Sequence, residues 1–259
     1  MSNNNGLGNL DDLFQSAQDD GLTDDTMDLV VANLNGPTMM TAVGASLNQL
    51  ASNEVTLAMN IIDMSGSMFG YAADLIEAYN RDYIGAMAGS TAADDILVST
   101  ILFNDDVELL HGYLPLNDVP PLTRQSYDPD NMTALYDAVA AGLTNMVLYA
   151  QQLRQSGVMV RCIVLVYSDG ADNASRQRAA DVRRAVEELL KHEIYTLAYV
   201  GFCSSGNEAE LRQMAKEIGF PEALTAGLSH QELRRIFHLV SMSTISVSQQ
   251  QAAPSGLFV

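Results

Sequence analysis

The run Val55–Ile62 is almost continuously apolar, is rich in β-forming residues and stops at an acid, Asp63. A strand without polar alternation has both faces covered, the condition of a strand inside a parallel sheet with helices on either side. Ile96–Phe103, Arg161–Tyr167 and Ile194–Phe202 repeat the pattern. Between them lie segments with apolar residues near helical spacing: Tyr71–Ala88 on Leu75, Ile76, Tyr79, Tyr83 and Met87, Thr133–Gln155 on Leu135, Val139, Leu143, Met146 and Leu153, and the Arg- and Glu-laced Gln177–His192. Further helices are expected over Glu208–Ile218 and His230–Met242, with a short strand near Ala223–Ala226 between them. Strand alternating with helix implies a three-layer, Rossmann-like α/β architecture: a mostly parallel central sheet with helices on both faces. One link is too short for a parallel crossover. Val107–Leu114 follows Ile96–Phe103 after only Asn104, Asp105 and Asp106, so this pair is expected to be an antiparallel hairpin.

The ends of the chain differ from this middle. Residues 1–50 are expected to form an acidic N-terminal extension, residues 51–245 the α/β domain and residues 246–259 a flexible polar tail. No Lys or Arg precedes Arg81, whereas Asp11, Asp12, Asp19, Asp20, Asp24, Asp25 and Asp28 crowd the beginning. Short helices are expected within the extension at Thr26–Leu34 and Thr38–Ala51. The formal net charge of −19 disfavours nucleic-acid backbones as partners, because phosphates reward clustered cations. The apolar runs are too short to span a bilayer, and the polar start does not read as a secretory signal, so a cytoplasmic protein with no membrane association is expected. Cys162 sits in an apolar run and Cys203 follows another, and both read as buried, reduced thiols.

The chemistry gathers where strands end. Asp63-Met64-Ser65-Gly66-Ser67 sets an acid and two hydroxyls at alternate positions directly after a buried strand, and Asp169 closes Arg161–Tyr167 in the same way. Open α/β sheets bind ligands in the crevice outside the carboxyl ends of their strands, so the two acids can meet there. Two carboxylates at about 5 Å repel by roughly 3 kcal/mol at an effective dielectric near 20, and a doubly charged cation reverses that cost. Carboxylate and hydroxyl oxygens, with no His or Cys among these positions, select Mg²⁺ first, with Mn²⁺ or Ca²⁺ next, and not zinc.

Asp63-x-Ser65-x-Ser67, then Asn131-Met132-Thr133-Ala134-Leu135-Tyr136-Asp137, then Ser168-Asp169-Gly170 resemble the metal-ion-dependent adhesion site of von Willebrand factor A domains. The resemblance spans Glu54 to about Met242. It implies that Asp63, Ser65, Ser67, Thr133 and Asp169 hold a divalent metal, directly or through water, in an intracellular bacterial-type member, and that the sheet has one antiparallel edge strand. Where many relatives carry a glycine, this chain has Met132. Asp172 and Asn173 could hydrogen-bond metal-bound water, but Asx residues in such a loop more commonly cap the following helix. Arg176, Arg178, Arg183 and Arg184 read as a solvated helix face paired with Glu187 and Glu188. His111, His192, His230 and His238 lack metal-ligand spacing.

Function follows as an expectation: a non-enzymatic module in which a protein partner supplies an Asp or Glu to the metal, by family analogy beside an AAA-type ATPase or in a stress-response system. A metal-assisted phosphohydrolase or phosphotransferase is the alternative, with Asp63 as nucleophile. It would want a second acid where Ser65 stands and a cation over the phosphate, in a chain whose lysines are Lys191 and Lys216. A third reading is a self-assembling subunit whose acidic extension reaches a neighbour's metal. In each case Asp63 is expected at a surface crevice.

Overall fold

The computed structural model describes residues 15, 17–19, 21–22, 26–30, 44–170, 172–203 and 206–249. A sheet of six strands runs in the order β3-β2-β1-β4-β5-β6, with β1 Glu54–Asp63, β2 Ile96–Phe103, β3 Val107–Pro115, β4 Met159–Ser168, β5 Tyr195–Cys203 and β6 Glu222–Gly227. All neighbouring pairs are parallel except β2 with β3, which form the expected antiparallel hairpin and place β3 at an edge. The fold class read from the sequence is the one observed.

The uniform apolarity of the central strands has its cause in two covered faces. Leu57, Met59 and Ile61 of β1 enter a core shared with α3 (Leu135–Gln155), α4 (Ala179–Leu189) and α5 (Glu208–Glu217). Ala58 and Ile62 enter a second core shared with α1 (Ala72–Ala78), α2 (Ala86–Ala88) and α6 (His230–Ser248). Helix α3 approaches the sheet closely at Gly142, where an added Cβ would stand 2.5 Å from Ile61 Cδ1. Any larger residue there would force helix and sheet apart.

The segment Tyr71–Ala88, expected as one helix, is a succession: a 3₁₀ stretch Gly66–Tyr71, then α1, then a π-helical stretch Tyr79–Gly85, then α2. The widened turns occur where Tyr79 and Tyr83 both enter the core against Phe237, with ring centroids 6.2 and 6.4 Å from it, and where Asn80 leaves the helix to bond the backbone of Leu122 at 2.8 Å in both directions. Tertiary partners therefore override the simple helical period. Helix α6 continues to Ser248, six residues beyond the expected Met242, because Ile245 and Val247 still have core to cover.

The N-terminal extension also departs from a purely solvated tail. Thr26–Val30 are helical as expected, and Ala17, Leu22, Met27, Leu29 and Val30 join the core on the α3 side. Thr26 donates through both its backbone N–H (3.1 Å) and its hydroxyl to the buried carboxylate of Glu188. The expected helix Thr38–Ala51 is reduced, over its described part, to the 3₁₀ turn Leu47–Gln49 preceded by a backbone bridge from Gly44 to Tyr113. Residues 38–43, the remainder of Thr26–Leu34 and the tail from Gln250 lie outside the described residues. Among the described residues no helix is long and apolar enough to cross a membrane.

Candidate metal centre

Strand order decides where the acids meet. From β1 the chain steps to β2 on one side and later returns to β4 on the other, so the gap between β1 and β4 is the point where the winding reverses. The β1–β4 register pairs Ile62 with Tyr167, which sets Asp63 level with Ser168 and one residue from Asp169. Two acids more than a hundred positions apart are thereby delivered to one crevice.

Hydroxyls join them. Ser168 Oγ donates to Asp63 Oδ2 at 2.5 Å, the Ser65 N–H donates to Asp63 Oδ1 at 2.8 Å, Ser65 Oγ and Ser67 Oγ lie 3.1 Å apart, and Ser67 Oγ donates to Asp169 Oδ1 at 2.8 Å. The alternation Asp-x-Ser-x-Ser works as expected because Ser65 leaves the strand extended (φ −70°, ψ 164°) and starts the 3₁₀ turn Gly66–Tyr71, which folds Ser67 back toward Asp169. Asp63 itself is fully buried and not at the surface, a correction to the expected surface position. Ser67 is exposed and Asp169 half-buried, so the crevice opens on their side.

Thr133 arrives on a third loop, tied to the other two through the backbone. Asp130 N–H donates to Met64 O (3.0 Å) and Gly66 N–H to Asn131 O (3.1 Å), while Thr133 N–H donates to Asn173 Oδ1 (2.8 Å) and Thr133 O accepts from the N–H groups of Asn173 and Ala174. Asn131 holds a left-handed backbone, φ 65°, at the bend between these ties. Thus Asp63, Ser65, Ser67 and Asp169 form one hydrogen-bonded set, and Thr133, 6% exposed, is fixed beside them by its neighbours' backbone. Asp172 does cap a helix, but not the following one: its Oδ1 accepts from Tyr136 N–H (3.4 Å) in the first turn of α3, whereas Asn173 holds the N–H of Thr133 ahead of that helix. Asp137 of α3 reciprocates by accepting from the N–H groups of Arg176 and Gln177.

Burial, opposed by hydrogen bonds from Ser168 and Ser65 and assisted by the nearby charge of Asp169, pushes the Asp63 carboxyl up from 3.8 to about 6. Burial also raises Asp169, against the hydrogen bond from Ser67. Among the described residues neither carboxylate has an ion-pair partner. Among those residues, too, no cluster of three or more His, Cys, Asp or Glu is found, so a cation held here would rest on two carboxylates plus hydroxyls. That donor set is hard, anionic and short of positive charge, which fits Mg²⁺, Mn²⁺ or Ca²⁺.

Two residues that sequence reasoning passed over complete the setting. Tyr127, fully buried, donates its hydroxyl to the carbonyl of Asp63 at 2.6 Å. Ser168, quoted as part of a motif, turns out to be the closest donor to the Asp63 carboxylate. A large aromatic inside the polar loop Leu116–Asp130 was the available signal for the first. A cleft of about 40 Å³ beside Asp169 is lined by Gly170, Asn207, Glu210, Leu211 and Met214. The remaining expectations fall elsewhere. Arg178 and Arg184 pair with Asp181 and Arg183 with Glu187 on the exterior of α4, while Glu188 is buried beneath Thr26. Cys162 is buried but Cys203 is half-buried, and both are free thiols.

No family model matches the chain, and no curated protein matches it. Solved structures do. The PilB minor pilin from Streptococcus sanguinis superposes with a TM-score of 0.54 at 14% identity, over 76% of this chain and 62% of the pilin chain, and a point mutant of it gives 0.55. The fold is the mostly parallel α/β arrangement expected of a von Willebrand factor A domain. The present chain spans about three-fifths of the pilin's length, and at this identity the likeness speaks for the fold alone. Lower likenesses include proximal thread matrix protein 1 from the mussel byssus with a zinc-occupied MIDAS motif (TM-score 0.47, 16% identity, 75% of this chain and 46% of that one). The SpRpn10 VWA domain follows at TM-score 0.43 and 10% identity, covering 70% and 93%. Neither of these two carries weight for function.

Proposed function

We propose that this protein is a metal-dependent protein-binding module and not an enzyme. The observation that carries the reading is the hydrogen-bonded set Asp63–Ser65–Ser67–Asp169: two carboxylates brought together at the switch point of the sheet, both pushed upward by burial, with hydroxyls between them and, among the described residues, no basic side chain paired to either. Asp63, Ser65, Ser67, Thr133 and Asp169 would hold Mg²⁺, or Mn²⁺ or Ca²⁺, directly or through water. A cation so bound supplies positive charge and an open coordination position that an Asp or Glu of a partner protein can fill. The chain's own part is to aim the oxygens, to hold Thr133 rigidly through Asn173 and the Met64–Asp130 tie, and to keep the inner carboxylate away from water.

A phosphoryl-transfer reading finds less support. The Asp63 carboxylate already accepts from Ser168 and the Ser65 N–H, and no arginine or lysine among the described residues is bonded to the site to neutralise a phosphate. The decisive test is thermal unfolding with EDTA, Mg²⁺ or Mn²⁺ on the wild type, Asp63→Ala and the nearly isosteric Asp63→Asn. A metal at about 100 times its dissociation constant stabilises by roughly 2.7 kcal/mol. That stabilisation is expected in the wild type and absent in both variants; a wild type indifferent to every metal, with no binding by direct titration, would refute the reading.

A further inference from the structure

Resting on that reading of the metal centre, we infer that Phe69 and Met132 form an apolar rim around it, and that the partner segment carries a single Asp or Glu with a large aliphatic or aromatic residue within two positions.

Among the described residues five large apolar side chains are exposed, Leu47, Phe69, Met132, Met159 and Met242, and two of them sit on the ligand-bearing segments. Phe69 is 62% exposed two residues after Ser67, and Met132 is 54% exposed immediately before Thr133. They come from different parts of the chain but from one place in the molecule, because Gly66 N–H is bonded to Asn131 O and Asp130 N–H to Met64 O. Met159, also exposed, begins β4 at the opposite end of the sheet.

Met132 follows Asn131, whose left-handed backbone (φ 65°), a conformation Asn adopts more readily than most residues, lies at the bend tied to Gly66 through Asn131 O. Met132 presents a flexible thioether side chain that can mould itself to an apolar partner.

Charge narrows the occupant further. Asp128 and Asp130 are exposed on the same loop as Met132, so the surroundings of the centre repel a run of acids and tolerate one carboxylate, the one that reaches the cation. The flanks of that residue meet carbon on Phe69 and Met132. The occupant is therefore an apolar peptide segment with an isolated acid, not an acidic tract.

The test is an array of peptides of the form Gly-Ser-X-Asp-Z-Ser-Gly, with X and Z each varied through Leu, Phe, Ser and Asp, plus the Asn analogue of every member. It is probed with the full-length chain in Mg²⁺, Mn²⁺ or EDTA. The wild type is expected to bind the Leu- and Phe-flanked Asp peptides in metal about tenfold more tightly than the Ser-flanked ones, and the Asp-flanked ones least. The double variant Phe69→Ser with Met132→Ser should keep its metal-induced thermal stabilisation and lose the apolar preference. Metal-dependent binding with no flank preference, or a preference unchanged in the double variant, overturns the rim and leaves the metal centre standing. Binding that ignores EDTA and the Asp-to-Asn exchange overturns the metal reading and the rim with it.

Discussion

Asp82 and Asp181, on helix exteriors, each sit between arginines, whereas Asp63 and Asp169, at the carboxyl ends of the strands, face each other and a set of hydroxyls. Partial burial alone would raise Asp82, but hydrogen bonds from Arg81 and Arg234 outweigh it and hold the carboxyl below its usual range. Hydrogen bonds from Arg178 and then Arg184 do the same for Asp181 against slight burial. At the strand ends the balance reverses: burial is the leading influence on Asp63 and Asp169, and among the described residues no cation opposes it. Residues of one type thus end in two states. The exterior acids are neutralised by the chain itself, and the strand-end pair has no basic partner among the described residues, an imbalance that suits the cation proposed above.

The largest expected effect is on pH dependence without metal. The folded state raises Asp63 above its unfolded value, so its contribution to stability is full below about pH 3.8 and is lost as pH rises through about 6. Metal-free wild type should therefore lose about 2 kcal/mol relative to Asp63→Asn between pH 4 and pH 7. Urea unfolding of both proteins in EDTA across that range measures it, and parallel curves would erase the contrast between the two kinds of acid.

Next in size is the loss of a hydroxyl. Ser67→Ala and Thr133→Ala should each weaken metal binding by about 1.5 kcal/mol, roughly tenfold, in a calorimetric titration. An unchanged affinity for Thr133→Ala would remove the third loop from the centre. Tyr127→Phe deletes the hydrogen bond to the Asp63 carbonyl and should cost about 1 kcal/mol in denaturant unfolding, with metal present or absent. The smallest effect belongs to the exterior. Asp82→Asn should cost less than about 1 kcal/mol, a loss that fades in high salt and is indifferent to metal, since exposed ion pairs are screened. A metal-dependent Asp82 effect would show that the two regions communicate.

The legibility of the chain follows the range of the forces involved. Central strands and the longer helices are visible in the sequence because their apolar patterns are local, and the hairpin is visible because three residues cannot span a parallel crossover. The candidate ligands are visible because each lies beside a strand end or in a recognisable string. Tyr127 and the bond from Thr133 N–H to Asn173 are not, since each bond joins residues 40 or more positions apart and leaves no periodic trace. The π-helical stretch was hidden for a similar reason: Asn80 answers to Leu122, 42 positions away.

By itself the sequence determined an α/β sheet with doubly covered strands, the acids that end two of them and the Asp-x-Ser-x-Ser alternation. Those depend on side-chain polarity and on the two-residue repeat of an extended chain. Only the tertiary structure decided that β1 and β4 lie side by side, that Asp63 is wholly buried, and that the loops after Asp63 and before Thr133 are tied together. Each of these depends on strand order and on backbone hydrogen bonds between distant loops, which arise when the chain packs and have no counterpart in any short stretch of residues.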